Sequence, residues 1–174
     1  AAMVNDKGMV DDVLTSPTAP TGATVRPRGA RDEPFGDRVA RAVEQKQSQL
    51  VVGLDPRIDL LPVELRGDAH LGPATAALAY ERFCCAVVDA VAPYAVGVKP
   101  QLAFFEEHGS QGLHALEQVV EYAQNAGLLV IVDGKRGDIG NTGRKYATAL
   151  YESLGGDAAT VAPYMGADSV VPFL

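Results

Sequence analysis

The chain has 174 residues, of which 47% are hydrophobic and 21% charged, and its 22 acidic and 15 basic side chains give a net charge of −7. This composition is typical of a globular domain, and the negative charge argues against a protein that binds nucleic acid through its overall charge. Because no apolar run approaches the roughly 18 residues of a membrane span, we expect a cytoplasmic protein that contacts no membrane. The three histidines are not spaced like metal ligands, so we expect no metal site.

The first 33 residues differ in composition from the rest of the chain. They contain several Gly and Pro residues among Ser, Thr and Arg, and they show no apolar periodicity. Such a segment cannot bury enough apolar surface to offset the entropy that is lost when its backbone is ordered. The sequence therefore predicts a flexible N-terminal tail at residues 1–33 and a folded domain at residues 34–174.

From residue 34 onward, short apolar runs alternate with stretches that have the periodicity of amphipathic helices. The strands are predicted at 50–54, 94–98, 128–132 and 158–162. The helices are predicted at about 35–43, 73–91, 111–126 and 142–154, and another is predicted to begin near Asp168. Uniformly apolar strands that alternate with helices are typical of a parallel sheet that is built from βα units and covered on both faces.

Polar residues follow each predicted strand, where parallel α/β folds place their functional side chains. Neither GxGxxG nor GxxxxGKS/T follows the first strand, which argues against a Rossmann or P-loop fold. A (β/α)8 TIM barrel fits this pattern better. Residues 34–174 supply about four βα units, whereas a complete barrel has eight units in about 250 residues. The chain is therefore predicted to carry the N-terminal half of such an α/β barrel.

The densest group of chemically active residues follows the third strand, in the segment DGKRGDIGNT. Asp133 and Lys135 are two residues apart, so on an extended segment they project from the same face. Lys99 follows the preceding strand and brings a second ammonium group toward the same edge. A lysine beside carboxylates stays protonated and can protonate a carbanion, while a fixed aspartate can repel a substrate carboxylate. This combination favours cofactor-free decarboxylation, and a solvated ion pair between Asp133 and Lys135 is the simpler alternative.

Four longer strings make the sequence resemble the orotidine 5′-phosphate decarboxylase family. They are VGLDPR (52–57), VGVKPQLAFFE (96–106), VIVDGKRGDIGNT (130–142) and TVAPYMGADSV (160–170). The second and third strings point to the branch of the family that is common in bacteria and has somewhat longer chains. The resemblance implies a homodimeric TIM barrel that uses no cofactor and converts orotidine 5′-monophosphate to UMP and CO2, the last step of de novo pyrimidine biosynthesis.

The resemblance also implies roles for four residues within one subunit. Asp55 is similar to an aspartate that binds the ribose hydroxyls, and Lys99 to a lysine that joins the ribose to the charged network. Asp133 is similar to the carboxylate that lies against the substrate carboxylate, and Lys135 to the proton donor to C6 of the pyrimidine.

Three further residues are expected, from the same resemblance, to act across the dimer interface. Asp138 resembles the second aspartate of the motif, which completes the active site of the partner subunit, and Ile139 and Thr142 occupy the positions that accompany it. In the family, the arginine that binds the phosphate and the polar residue that contacts the pyrimidine lie in later strands and loops, beyond Leu174. Apart from the small-molecule substrate and a second copy of the chain, no partner is expected.

Two alternatives remain open. A related barrel decarboxylase acts on a 3-keto sugar-acid phosphate, shares the D-x-K-x-x-D pattern and holds Mg²⁺ with extra carboxylates. The string KPQLAFFE and the lack of a spare acidic cluster after the first two strands disfavour it. The second alternative is a non-catalytic half-barrel that keeps the motif but lacks the phosphate site.

Overall fold

A computed structural model describes residues 33–174, so the predicted tail lies outside the described residues except for Glu33. Four parallel strands form one sheet in the order β1-β2-β3-β4. The strands are β1 (Val51–Leu54), β2 (Gly97–Pro100), β3 (Leu129–Arg136) and β4 (Ala158–Val161). Because each strand pairs with the next one along the chain and helices join them, the predicted α/β fold with half of a TIM barrel is confirmed.

Six α-helices are found among residues 33–174. They are α1 (Phe35–Lys46), α2 (Val63–Arg66), α3 (Pro73–Val91), α4 (Leu102–Glu106), α5 (Gly109–Asn125) and α6 (Gly140–Thr148). The last helix continues into a π-helical turn at Ala149–Ser153. Short 3₁₀ turns occur at Ile58–Leu60, Ala69–Leu71, Pro163–Met165, Ala167–Ser169 and Val171–Phe173.

Local sequence signals explain the ends of the two long helices. Pro73 occupies the first turn of α3, where its missing N–H would have no helical partner. Helix α5 ends just before Gly127, whose φ of 79° is a left-handed conformation that glycine adopts without a steric penalty. Cys84 and Cys85 are free thiols buried within α3, where they pack as small core residues.

The hydrophobic core lies between the sheet and helices α3 and α5. Leu54, Val98, Val130 and Val132 point to this face of the sheet and are almost completely buried. Successive residues of a strand alternate between faces, so the opposite face carries residues such as Lys99. Within residues 33–174 the helices α3 and α5 thus cover one face of the sheet, and the predicted cover on both faces is not found in this part of the chain.

Helix α1 is attached at the amino ends of the strands, away from their carboxyl ends. Arg38 of α1 forms an ion pair with Asp157, the residue that precedes β4. The same carboxylate accepts hydrogen bonds from the Val130 backbone N–H at 2.8 Å and from Gln124 Nε2 at 3.2 Å. One buried aspartate therefore joins α1, α5, β3 and β4 at this end of the sheet.

The boundaries of two strands differ from the prediction. Strand β2 begins and ends later than 94–98, and β3 continues four residues beyond the predicted end at 132. Asp133 and Lys135 consequently lie within a strand and not after it. Asp, Gly and Lys have low strand propensity, so the local composition predicts that the strand ends at residue 132. In the structure, pairing with β4 extends the strand to Arg136.

Four helical segments also differ from the prediction. The predicted helix at 142–154 ends as an α-helix at Thr148, and its last turn is π-helical. The region near Asp168 forms only single 3₁₀ turns and no long helix. Helices α2 and α4 were not predicted, because four or five residues are too few for a periodic pattern to emerge.

Candidate active site

Asp133 is the centre of a hydrogen-bonded network at the carboxyl ends of β2, β3 and β4. Its Oδ1 atom accepts hydrogen bonds from Lys135 Nζ and Thr160 Oγ1, each at 2.7 Å. Its Oδ2 atom accepts hydrogen bonds from Lys99 Nζ at 2.7 Å and from Gln101 Nε2 at 3.0 Å. Each carboxylate oxygen thus has two donors, and one donor at each oxygen is an ammonium group.

The register of the sheet brings these side chains together. Gln101 lies beside Asp133 in a parallel bridge, and Lys99 precedes Gln101 by two residues. The pairing of β3 with β4 places Thr160 on the other side of Asp133. Neighbouring residues in a parallel register point to the same face, as do residues two apart on one strand. All four side chains therefore converge on the face opposite the hydrophobic core.

Asp133 stays ionised although only 7% of its side chain is exposed. Burial, the largest single influence, raises the pKa of its carboxyl. The hydrogen bonds from Lys135, Lys99 and Thr160, together with the charge of Lys99, outweigh burial and hold the pKa well below its usual value of 3.8. Asp133 is therefore a carboxylate at neutral pH, and both ammonium groups lie against a fixed negative charge.

Strand β3 carries a β-bulge at this site. Between two pairs with β4 the chain takes four residue steps on β3, from 132 to 136, but only two on β4, from 159 to 161. The residues from Asp133 to Lys135 therefore lie opposite Thr160 alone. Lys135 has a φ of 46°, a left-handed conformation that is uncommon outside glycine. The bulge, and not simple strand alternation, directs the Lys135 ammonium group back to Asp133.

Arg136, the last residue of β3, connects the bulge with two helices. Its guanidinium donates a hydrogen bond to the Gly134 carbonyl at 2.8 Å and forms an ion pair with Glu106 at the end of α4. It also lies 5.7 Å from the centre of the Tyr146 ring on α6, within the range of a cation–π contact. These contacts hold the bulge between α4 and α6.

Asp55, the predicted ribose-binding residue, lies at the same edge of the sheet but outside the network. The preceding residue, Leu54, pairs with Pro100, which places Asp55 next to Gln101 at the end of β1. Its side chain is exposed, and within residues 33–174 it forms no hydrogen bond or ion pair. It is therefore close to the site and accessible from solvent.

The three residues expected at a dimer interface do not contact the Asp133 network. Asp138 is half-buried, and its Oδ1 atom accepts a hydrogen bond from the Ile139 backbone N–H at 2.8 Å. The Ile139 side chain is 54% exposed, and Thr142 is exposed in the first turn of α6. The structure thus brings together Lys99, Asp133 and Lys135 and leaves Asp138, Ile139 and Thr142 outside the network.

Sequence reasoning missed two members of the network, Gln101 and Thr160. A signal exists for each of them. Gln101 follows Lys99 by two residues, the same spacing that selected Asp133 and Lys135. Thr160 is the only polar residue in the apolar run AATVA at 158–162. A hydroxyl in such a run needs a hydrogen-bonding partner when it is buried, and here the partner is Asp133.

The arrangement provides a fixed carboxylate and two ammonium groups on an accessible face. The Lys135 side chain is 65% exposed and the Lys99 side chain is 35% exposed, so a bound molecule can reach both. Such a group can oppose a substrate carboxylate with negative charge and donate a proton beside it. Among residues 33–174, no three or more His, Cys, Asp or Glu side chains are grouped so as to hold a metal ion, and no helix is long and apolar enough to cross a membrane.

Known proteins are similar to this chain in sequence and in fold. The orotidine 5′-phosphate decarboxylase / HUMPS family matches residues 48–174. The orotidine 5′-phosphate decarboxylase of Rhodopirellula baltica is 44% identical over 148 residues, covering 80% of this chain and 49% of the relative. That of Christiangramia forsetii is 47% identical over 132 residues, covering 75% of this chain and 46% of the relative.

A solved structure, that of Leishmania donovani OMP decarboxylase, is similar with a TM-score of 0.66 at 36% sequence identity. The match covers 81% of this chain and 49% of that structure. The chain therefore spans about half the length of the curated relatives and of the solved structure that it matches.

Proposed function

The chain belongs to the orotidine 5′-phosphate decarboxylase / HUMPS family, and we propose that its Asp133 network decarboxylates orotidine 5′-monophosphate to UMP without a cofactor. The observation that carries this proposal is the buried, ionised Asp133 between the ammonium groups of Lys99 and Lys135. The names and sequence identities of the relatives support the choice of substrate. UMP formation would complete de novo pyrimidine biosynthesis in the cytoplasm.

In this proposal Asp133 opposes the carboxylate of the substrate. Two like charges about 4 Å apart, at an effective dielectric constant of about 20, repel each other by about 4 kcal/mol. That energy corresponds to roughly a thousandfold in rate, whereas enzymes usually lower their barriers by more than about 8 kcal/mol. Repulsion therefore makes the smaller contribution, and stabilisation of the developing carbanion by the Lys135 ammonium makes the larger one.

The proton transfer follows from the position of Lys135. As the bond between C6 and the carboxyl carbon breaks, CO2 leaves and the electron pair stays on C6. The Lys135 ammonium donates a proton to C6, and the neutral amine recovers a proton from solvent. The hydrogen bond between Lys135 Nζ and Asp133 Oδ1, at 2.7 Å, holds the ammonium group beside the Asp133 carboxylate.

The remaining residues bind the substrate in this proposal. Asp55 and Lys99 bind the ribose hydroxyls at the edge of the sheet where both lie. Asp138, Ile139 and Thr142 act at the site of a second subunit in a homodimer. The exposure of Ile139 and Thr142, and the lack of a hydrogen bond from Asp138 to the Asp133 network, support a role outside their own site.

The proposed function is tested with a complete enzyme, meaning a decarboxylase barrel that contains residues 33–174. The purified enzyme is incubated with orotidine 5′-monophosphate, with and without EDTA, and UMP and CO2 are measured. We expect equal formation of UMP with and without EDTA. UMP formation that EDTA abolishes would contradict a reaction without a cofactor. A stable enzyme that forms no UMP would contradict the proposed substrate and favour one of the two alternatives.

A further inference from the structure

We propose that Thr160 is a positioning residue that fixes Lys135 relative to Asp133 through its single hydroxyl group. This inference rests on the proposed function, because it concerns how the proton donor is held for the reaction. Thr160 lies on β4 and does not belong to the D-x-K-x-x-D motif, so the motif alone does not indicate it.

The Thr160 hydroxyl forms two hydrogen bonds of opposite direction. It donates to Asp133 Oδ1 at 2.7 Å and accepts from the Lys135 backbone N–H at 3.0 Å. A hydroxyl has only one proton, so donation to Asp133 leaves its lone pairs for the Lys135 N–H. Because both bonds use one hydroxyl group, the position of its oxygen must suit both partners. One side chain therefore links the Asp133 carboxylate to the backbone of Lys135.

The bulge makes this link necessary. In a regular strand the backbone N–H of Lys135 would pair with the neighbouring strand, but here two extra residues of β3 interrupt the ladder. The ladder therefore offers the Lys135 N–H no partner, and a non-glycine residue at a φ of 46° has a sparsely populated conformation that surrounding contacts must stabilise. The Thr160 hydroxyl supplies the missing acceptor at the position where the backbone is left-handed.

The ammonium end of Lys135 depends on the same unit. Lys135 Nζ donates to Asp133 Oδ1, the same oxygen that accepts the Thr160 hydroxyl proton. Since the lysine side chain is 65% exposed, few other contacts restrict it. The backbone and the ammonium group of Lys135 are thus oriented by Thr160, directly at one end and through Asp133 at the other.

The kinetic test uses the complete enzyme with Thr160→Val, which has nearly the same shape but no hydroxyl, and Thr160→Ser, which keeps the hydroxyl. We expect Thr160→Val to lower kcat by about 10- to 100-fold, because a hydrogen bond to a charged group is lost, with a much smaller change in KM. We expect Thr160→Ser to restore kcat to within about threefold of wild type. The control Thr148→Val, at the exposed end of α6, is expected to behave as wild type.

A second measurement does not depend on catalysis. The exchange rate of the Lys135 amide proton is followed by NMR in the wild type and both Thr160 variants. We expect Thr160→Val to accelerate this exchange at least about tenfold and Thr160→Ser to leave it nearly unchanged. The Ala162 amide, which donates to the Arg136 carbonyl at 2.8 Å beyond the bulge, is the internal control for folding.

The outcomes are separable. If the wild-type enzyme forms no UMP, the proposed function fails, and amide exchange still decides the role of Thr160. An unchanged Lys135 exchange rate in Thr160→Val, or equal loss of kcat in the Val and Ser variants, would overturn the positioning role. Accelerated exchange at both Lys135 and Ala162 would also overturn it, because Thr160 would then stabilise the strand as a whole.

Discussion

The Asp133 carboxylate accepts four hydrogen bonds, and two of them come from ammonium groups. Burying an unpaired carboxylate would cost several kcal/mol, so a charge at this position is stable only because its partners surround it. Within such a network the loss of one donor changes the electrostatic environment of the others. The chemistry of Lys135 therefore depends on residues that are distant from it in the sequence.

The lowered pKa of Asp133 predicts a specific dependence of stability on pH. A carboxyl whose pKa is lower in the folded state stabilises the fold above its usual pKa of 3.8, and this stability is lost as the pH falls below that value. Between pH 6 and pH 3, we expect Asp133 to account for a loss of about 1 kcal/mol in the free energy of unfolding. Urea unfolding of wild type and Asp133→Asn at both pH values measures this difference.

The control for this prediction is Asp68→Asn, because the exposed Asp68 side chain forms no hydrogen bond or ion pair within residues 33–174. We expect this variant to lose as much stability on acidification as the wild type, and Asp133→Asn to lose less. Equal losses in all three proteins would show that Asp133 is not stabilised in its ionised form.

The role of Lys135 as proton donor predicts a separation of binding from turnover. In the complete enzyme, we expect Lys135→Ala to lose nearly all decarboxylation, because the carbanion has no proton donor, and still to bind UMP. Steady-state kinetics and calorimetric titration with UMP measure the two effects. The control is Lys145→Ala, which removes an exposed lysine of α6. A kcat of Lys135→Ala within about tenfold of wild type, roughly 1.4 kcal/mol in the barrier, would contradict the assigned role.

Helices α4 and α5 approach each other so closely that one position accepts only glycine. A Cβ atom added to Gly112 of α5 would lie 1.8 Å from the Phe105 carbonyl oxygen of α4. This contact involves backbone, so no side-chain rotation can relieve it. Since α4 follows Lys99 and Gln101 directly and Glu106 at its end binds Arg136, the packing of these helices also supports the active site.

We therefore expect Gly112→Ala to lower the free energy of unfolding by about 1–3 kcal/mol, the range found for overpacked sites. Urea unfolding measures the effect. Gly36→Ala is the matched control, because a Cβ at this position in α1 meets no atom within 4 Å. We expect it to be neutral or slightly stabilising, as alanine is the better helix former. A Gly112→Ala protein as stable as wild type would contradict the close approach of the helices.

The open sheet predicts how the 174-residue chain behaves by itself. Among the described residues β1 and β4 are the edge strands, and each pairs on one side only. Unpaired edges promote association with other strands. We expect this chain alone to associate, or to require the remaining strands of a barrel, and not to decarboxylate. Light scattering with an activity assay tests this expectation, and a monomer that turns over substrate would contradict it.

The proposed homodimer predicts that Asp138 acts in the site of the partner subunit. Each site would then combine Lys135 of one subunit with Asp138 of the other. In the complete enzyme, Lys135→Ala and Asp138→Ala are expected to be inactive separately. After mixing and random exchange, about half of the dimers are mixed and one of their two sites is intact, so roughly a quarter of wild-type activity should return.

The control for this experiment is an independent demonstration that subunits exchange, for example by mass spectrometry of isotope-labelled dimers. If exchange occurs and no activity returns, Asp138 acts within its own subunit. Return of activity would support a role of Asp138 in the site of the partner subunit. It would agree with the structure, in which Asp138 accepts a hydrogen bond from Ile139 and none from the Asp133 network.

The sequence alone was sufficient to predict the parallel α/β fold and the central charged pair. The fold was predicted from a short-range pattern, apolar runs that alternate with helical periodicity. The charged pair was predicted from the two-residue spacing of Asp133 and Lys135, although in the structure the bulge brings the two groups together. Lys99 could be added because parallel strands end at the same edge of a sheet. The predicted interface role of Asp138, Ile139 and Thr142 depends on family resemblance and remains a prediction.

Only the tertiary structure decided which other side chains complete the network and how Lys135 is presented. Gln101 and Thr160 bind Asp133 from positions 32 and 27 residues away along the chain, a relation set by strand register. The bulge and the left-handed Lys135 likewise arise from the pairing of β3 with β4. Register depends on how whole strands pack and pair, and a change of one residue would turn every side chain to the other face. Local sequence patterns do not contain this information, because the energies that select one register are contributed by residues from distant parts of the chain.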